Sequence, residues 1–145
     1  MQKVNVVCVG KIKESFFREA VAEYAKRLSR FVAFSVREIA EGKNLEDEAD
    51  DILRAAKGYI IALCVEGRKF SSEALAAELE RQYDRGAEVT FIIGSSCGLA
   101  QRVKSAADMR LSFSDMTFPH HLMLVILCEQ IYRAYMINSG SEYHK

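Results

Sequence analysis

The chain has 145 residues, half of them apolar, with 20 basic and 20 acidic side chains and a formal net charge of zero. That length suits one domain, residues 1–145, with a substantial core, and that charge balance excludes nucleic-acid binding by bulk electrostatics, though not through a local patch or a dimer groove. No apolar run approaches the roughly 18 residues of a membrane span. The start, Met1-Gln2-Lys3-Val4, lacks the architecture of a secretory signal, so a soluble cytoplasmic protein without membrane contact is expected. The four cysteines, Cys8, Cys64, Cys97 and Cys128, show no Cys-x-x-Cys spacing. Three of them fall in apolar patterns and read as buried thiols in a reducing compartment, with neither a disulfide frame nor a zinc site.

In chain order, Val4 to Val9 is a buried strand ending at Gly10. Lys11-Ile12-Lys13-Glu14-Ser15 is a charged loop with Ser15 as a possible N-cap. Phe16, Ala20, Tyr24 and Leu28 repeat at helical spacing, predicting an amphipathic helix over 16–29. Residues 34–39 form a second strand. The acidic stretch after Gly42 suits a loop, but Leu45, Ala49, Ile52, Leu53 and Ala56 space as a helix that ends before Gly58. Tyr59 to Val65 is the third strand, and Gly67-Arg68-Lys69 is expected to turn the chain. Ser71 or Ser72 caps a helix carrying Leu75, Ala76, Leu79 and Tyr83, closed by Gly86. Val89 to Ile93 is the fourth strand. Gly94-Ser95-Ser96-Cys97-Gly98 leads to a short helix over 101–107, and Met109 to Phe113 is the fifth strand. The last helix runs over 120–139, with Pro119 in its first turn and Thr117 as its expected N-cap.

Strands alternate with helices, so the class is α/β with a mainly parallel sheet flanked by helices. The last helix holds the consecutive apolar residues Leu122 to Cys128. One sheet face cannot cover a helix that is apolar on every side, so a homodimer through this helix is expected.

Ligands of open parallel sheets bind beyond the carboxyl ends of the strands. The loops after Val65, Ile93 and Phe113 are therefore the places for chemistry. Ser112 to His121 holds the only proline and two of the three histidines, and it runs from a strand into a helix N-terminus, which can present backbone amides to a ligand. The same residues also suit an ordinary strand-to-helix connection. The glycines of the 94–98 run allow close backbone approach, but the run lacks the ending of a phosphate loop. Cys97 and His120 invite a cysteine-nucleophile reading, which is disfavoured because nothing in the sequence brings them together or supplies an oxyanion hole. Adjacent His120 and His121 point about 100° apart on a helix and chelate a metal poorly, so no metal is expected. Glu129 reads as a carboxylate paired with Arg133 at i+4.

Taken together, Phe91 to Leu99, Leu111 to His120, Glu129 to Ala134, and Tyr143-His144-Lys145 resemble the RlmH family of SPOUT methyltransferases. Val9 to Lys13 and Glu23 to Leu28 fit it too. The resemblance covers the whole chain, with a shortened segment around 44–57. It departs from the family pattern at Ser95, where a second glycine is usual, at Cys97, and at Leu124, where a basic residue is common and would be a candidate RNA contact. The resemblance implies a C-terminal trefoil knot, an exception to the rule against knots, and a homodimer. It implies S-adenosyl-L-methionine as methyl donor, and N3 of a pseudouridine in 23S rRNA of the assembled 70S ribosome as acceptor. Carried over by position, the cofactor pocket is Leu63, Gly94, Phe113, Ser114, Asp115, Met116, Thr117 and Phe118.

The acceptor nitrogen carries a proton, so a base should assist its attack. His144 is the expected base, with Tyr143 beside it and the tail closing over the site, from its own or the partner subunit; an inert tail is the competing expectation. Arg133 and the lysines of the Gly10–Lys13 loop are expected to contact phosphate. Two alternatives stand beside this reading: a non-catalytic ribosome-binding or assembly factor, and a SPOUT methyltransferase acting on tRNA.

Overall fold

The computed structural model describes residues 1–144, and Lys145 lies outside the described residues. Five strands pair in parallel: β1 (Lys3–Val9), β2 (Ala33–Ile39), β3 (Tyr59–Lys69), β4 (Val89–Ile93) and β5 (Met109–Ser112). Their order is β2-β1-β4-β3-β5. The central strand β4 reads Val-Thr-Phe-Ile-Ile and is buried along its whole length. A continuous β-branched and aromatic run is what a strand covered on both faces requires.

Successive side chains of a strand point to opposite faces. Val4, Val6 and Cys8 of β1 join one core, with Phe91 and Ile93 of β4. Over that face lie α1 (Ser15–Leu28), α3 (Ser72–Asp84) and α5 (His120–Asn138). Val7, Val9 and Ile92 join the other core, beneath α2 (Leu45–Ala55) and α4 (Gln101–Ala106). The α/β class and the flanked parallel sheet expected from the alternating pattern are therefore present.

Two helix starts follow from short polar side chains. Asn44 accepts from the Asp47 N–H at 3.0 Å, and Ser71, rather than Ser72, accepts from the Ala74 N–H at 3.0 Å. Each satisfies an otherwise orphaned donor of the first turn. Asn44→Ala should cost about 1 kcal/mol of stability, read as a small drop in denaturation midpoint.

Three boundaries differ from the sequence expectation. Residues 67–69 do not turn the chain, because β3 continues to Lys69 with its register on β5 shifted between Leu63 and Arg68. Gly67 lies pressed on the neighbouring strand, where a Cβ would sit 2.8 Å from the Arg110 carbonyl carbon. Glycine there reflects close backbone approach rather than a turn. Strand β5 stops at Ser112, so Phe113 opens the following loop. Thr117 is exposed and caps nothing: Pro119 is the N-cap, with extended ψ of 137°, and its carbonyl accepts the Met123 N–H at 2.9 Å. Proline lacks the donor that this position leaves free anyway.

Helix α5 lies against α1, α3 and β4. Leu124, Leu127, Cys128, Ile131 and Ala134 enter the core, while Leu122, Val125 and Ile126 are half-buried. Much of its apolar circumference is thus covered within the chain. Leu124 is fully buried, so that position faces the core of this chain rather than a bound RNA.

Candidate active site

The stretch of β3 from Leu63 to Glu66 and the loops after β4 and β5 enclose a cleft of about 610 Å³; the loop expected after Val65 is continued strand. The shifted register between Leu63 and Arg68 takes residues 64–67 out of the ladder with β5, which opens this end of the sheet. Of the residues expected at a cofactor, Leu63, Gly94, Phe113, Ser114, Met116, Thr117 and Phe118 line the cleft. Asp115 does not; it is exposed on the outer side of the loop and accepts from Lys69 at 2.7 Å. Both partners are solvated, so this pair contributes little to stability.

Sequence reasoning missed Cys64, Val65, Glu66, Lys104 and Met123, which also line the cleft. Lys104 donates to Glu66 and holds its carboxyl below the usual range. Met123 was hidden in the apolar run of α5, where nothing in the spacing marks a helix end that turns toward a ligand.

Gly94 is fixed by the turn it opens. Its backbone meets Gly98 so closely that a Cβ would lie 2.4 Å from the Gly98 oxygen. Gly98, at φ +89°, donates its N–H to the Ser95 carbonyl at 2.9 Å. Ser95 itself contacts Glu48 at 3.3 Å.

Cys97 is exposed on this turn, while Cys8 and Cys128 are buried and Cys64 is half-buried. Burial pushes the thiols of Cys8 and Cys128 up to about 12. Since the thiolate is the reactive form, iodoacetamide at mildly alkaline pH should label Cys97 first, and Cys8 and Cys128 only after unfolding, as read by peptide mass spectrometry.

His120 and His121 stack with ring centroids 4.1 Å apart. The Gly10 carbonyl lies 3.1 Å from His121 Nε2, which must therefore carry the donated proton. Burial, with His121 adding to it, pushes the His120 pKa down, so that ring stays neutral. Among the described residues no group of three or more His, Cys, Asp or Glu side chains sits where it could hold a metal ion, and no helix is long and apolar enough to cross a membrane.

The tail is pinned, not free. Arg133 forms a two-pronged pair with Glu129, at 3.2 and 2.9 Å, as the i+4 spacing implied. Tyr143 donates its hydroxyl to Glu129 at 2.9 Å and packs edge-on against Tyr132 at 4.9 Å. The Arg133 guanidinium lies 5.1 Å from the Tyr143 ring centroid. Arg133 also reaches His144 Nδ1 at 3.0 Å. A guanidinium only donates, so Nδ1 is unprotonated, and Nε2–H donates to Glu73 at 2.6 Å. That bond holds the Glu73 carboxyl below its usual range. Burial and Glu129 push the Tyr143 phenol up, so it stays protonated. The lone pair of His144 Nδ1 is occupied by Arg133, and it becomes available only when that contact opens. Glu73 had read as an ordinary first-turn acid of α3, and no local signal linked it to the tail.

The molecule is thus a parallel α/β sheet with a cleft along β3 and the carboxyl ends of β4 and β5, and with a histidine clamped between α3 and α5. The family model described as "Predicted SPOUT methyltransferase" matches residues 2–144. The chain is 46% identical to the ribosomal RNA large subunit methyltransferase H of Streptococcus thermophilus over 158 residues, 99% of each chain. In fold it is similar to a methylase family protein from Haemophilus influenzae Rd KW20, with a TM-score of 0.63 at 7% identity, covering 99% of this chain and 71% of that one. It is also similar to a methyltransferase from Legionella pneumophila solved in complex with the bound cofactor SAM, with a TM-score of 0.50 at 12% identity, covering 92% of this chain and 66% of that one. The chain belongs to the SPOUT methyltransferases, within the family of the ribosomal RNA large subunit methyltransferase H proteins. It is thus an enzyme of methyl transfer, and membership carries with it the knotted C-terminal topology implied by the resemblance.

Proposed function

We propose that this chain uses S-adenosyl-L-methionine to methylate N3 of a pseudouridine in 23S rRNA, on the assembled 70S ribosome, as a cytoplasmic homodimer. The observation that carries this reading is the cleft itself, supported by the clamp that holds His144 between Glu73 of α3 and Arg133 of α5. Its size suits a nucleoside cofactor, within the several-hundred-Å³ range of such sites. Its walls suit one too: Leu63, Ile93, Leu99 and Leu111 supply apolar surface, and backbone freed from the β3–β5 ladder supplies polar edges.

The donor would be held by Leu63, Gly94 and the 113–118 loop, with Met123 beneath, and when bound would supply a methyl group on positively charged sulfur. The residues of this chain orient the acceptor and receive its proton. His144 Nδ1 is the atom that takes the N3 proton once the tail moves from Arg133. Tyr143, kept protonated, donates and positions. Arg133, Lys11 and Lys13 meet phosphate, which sets register rather than sequence.

Dimerisation is supported by the outer side of α5. Leu122, Ile126, Glu129 and Arg133 follow one another there at three- and four-residue spacing, and none is buried in the single chain. A second copy on this side would bring two tails and two clefts together.

The test is incubation of the protein with labelled S-adenosyl-L-methionine and unmethylated 70S ribosomes, with separated subunits and tRNA in parallel. Label in 23S rRNA of intact ribosomes is expected. Label on tRNA alone overturns the substrate, and no label together with no calorimetric binding of the donor favours an assembly factor that keeps the fold.

A further inference from the structure

We infer that a second pocket, beside the cleft, receives the acceptor nucleobase turned out of its RNA, with Gln130 hydrogen-bonding a ring carbonyl of a uracil-like base. The inference rests on the methyltransferase reading above and adds where its substrate sits. The pocket has a volume of about 360 Å³. It shares Leu111, Phe113 and Phe118 with the cleft, so the two spaces adjoin and a base in one can reach a donor in the other.

Position argues first. The acceptor must lie between the methyl donor and the group that takes its proton. Ser72 lines the pocket but not the cleft, and it is followed by Glu73, which accepts from His144 at 2.6 Å. Arg133, the other partner of His144 at 3.0 Å, stands three residues beyond Gln130 on α5. The pocket therefore adjoins the cleft through shared residues and the tail's anchors through neighbouring residues of α3 and α5.

Chemistry argues second. Enzymes that modify a base take it out of the stack and hold it against aromatic faces, reading its edge by hydrogen bonds. Phe70, Phe113 and Phe118 supply three rings, and the Arg68 guanidinium lies over Phe70, 4.9 Å from its centroid. The polar groups are few and already aimed. Ser72 Oγ donates to Gln130 Oε1 at 2.7 Å, and Gln130 Nε2 donates to Glu129 Oε1 at 3.2 Å. That fixes which end of the amide is the donor. It uses one of two amide hydrogens and leaves the second for a ligand carbonyl. A uracil-like ring flanks its N3 with two carbonyls, so a single fixed donor beside the base orients N3. Ile126 brings the pocket to the outer side of α5, where the proposed second copy would close it.

The experiment is Gln130→Leu, which keeps bulk and removes the donor. Measured on ribosomes with labelled donor, kcat/KM should fall at least about tenfold, the worth of one buried hydrogen bond. The donor Kd should stay at its wild-type value, and the melting temperature should fall only by the few degrees that loss of the Ser72 and Glu129 hydrogen bonds costs. Unchanged kcat/KM overturns the inference. Should the variant fail to fold, the wild-type protein decides: photo-crosslinking to ribosomes with 4-thiouridine in 23S rRNA should label the peptides containing Phe70 to Leu75 or Ile126 to Gln130. Crosslinks confined to other peptides, while methylation proceeds, overturn it. A wild-type protein that methylates no RNA removes the underlying reading instead, so the two failures are distinguishable.

Discussion

Gly94→Ala should weaken binding of the methyl donor about a hundredfold or more. A Cβ at this position would lie 2.4 Å from the Gly98 oxygen, 2.8 Å from the Gly98 carbonyl carbon and 2.9 Å from Leu99 Cδ2. Nothing there yields cheaply. The Gly98 oxygen and carbon are backbone, held by the Ser95–Gly98 turn, and Leu99 is buried in the core beneath α2 and α4. The turn must move as a unit, and Ser95, Gly98 and Leu99 all line the cleft. A hundredfold corresponds to about 2.7 kcal/mol, within reach of one forced backbone contact. Calorimetric titration with S-adenosylhomocysteine checks it, with circular dichroism to show that the chain still folds. An affinity within threefold of wild type would remove Gly94 from the donor site.

His144→Ala should lower single-turnover methyl transfer by about two to four orders of magnitude, the usual worth of a positioned base. Donor affinity should not change, because His144 lies among Glu73 and Arg133 rather than on the cleft wall. The geometry makes the residue more than a tail ornament. Arg133 selects the tautomer with Nδ1 unprotonated, and Glu73 anchors the opposite nitrogen. Tyr143→Phe should cost less, since the phenol remains protonated and serves as a donor to Glu129. Turnover unchanged in the histidine variant, at saturating donor, would show that the tail is inert. Turnover and donor affinity falling together would show a structural role instead.

The elements were legible where periodicity was strong and bounded. Val89 to Ile93 had to be a buried strand, because five consecutive β-formers without a polar face fit only a strand covered on both sides. Ser71 or Ser72 marked a helix start because a serine side chain can satisfy a first-turn donor in place of the backbone, whereas the same role of Asn44 emerged only in the structure. The boundaries that moved lacked such local determination. Gly67 looked like a turn, yet its role is to let two strands approach, and spacing along one chain does not reveal a neighbour. Thr117 looked like a cap, yet the 113–119 segment follows the rim of the cleft before α5 begins.

Composition and pattern by themselves determined the α/β class, the balanced charge, the loops after β4 and β5 and the apolar last helix. These depend on the period of side chains along one segment, and that information is local. Only the tertiary structure decided that Asp115 turns away from the cleft to Lys69, and that Leu124 is buried in the core. Only it placed His144 between Arg133 and Glu73, a carboxylate 71 residues away in sequence. The difference has one physical cause. A periodic face states that a residue must be covered, whereas the identity of what covers it is set by how the strands are ordered and which helices cross them.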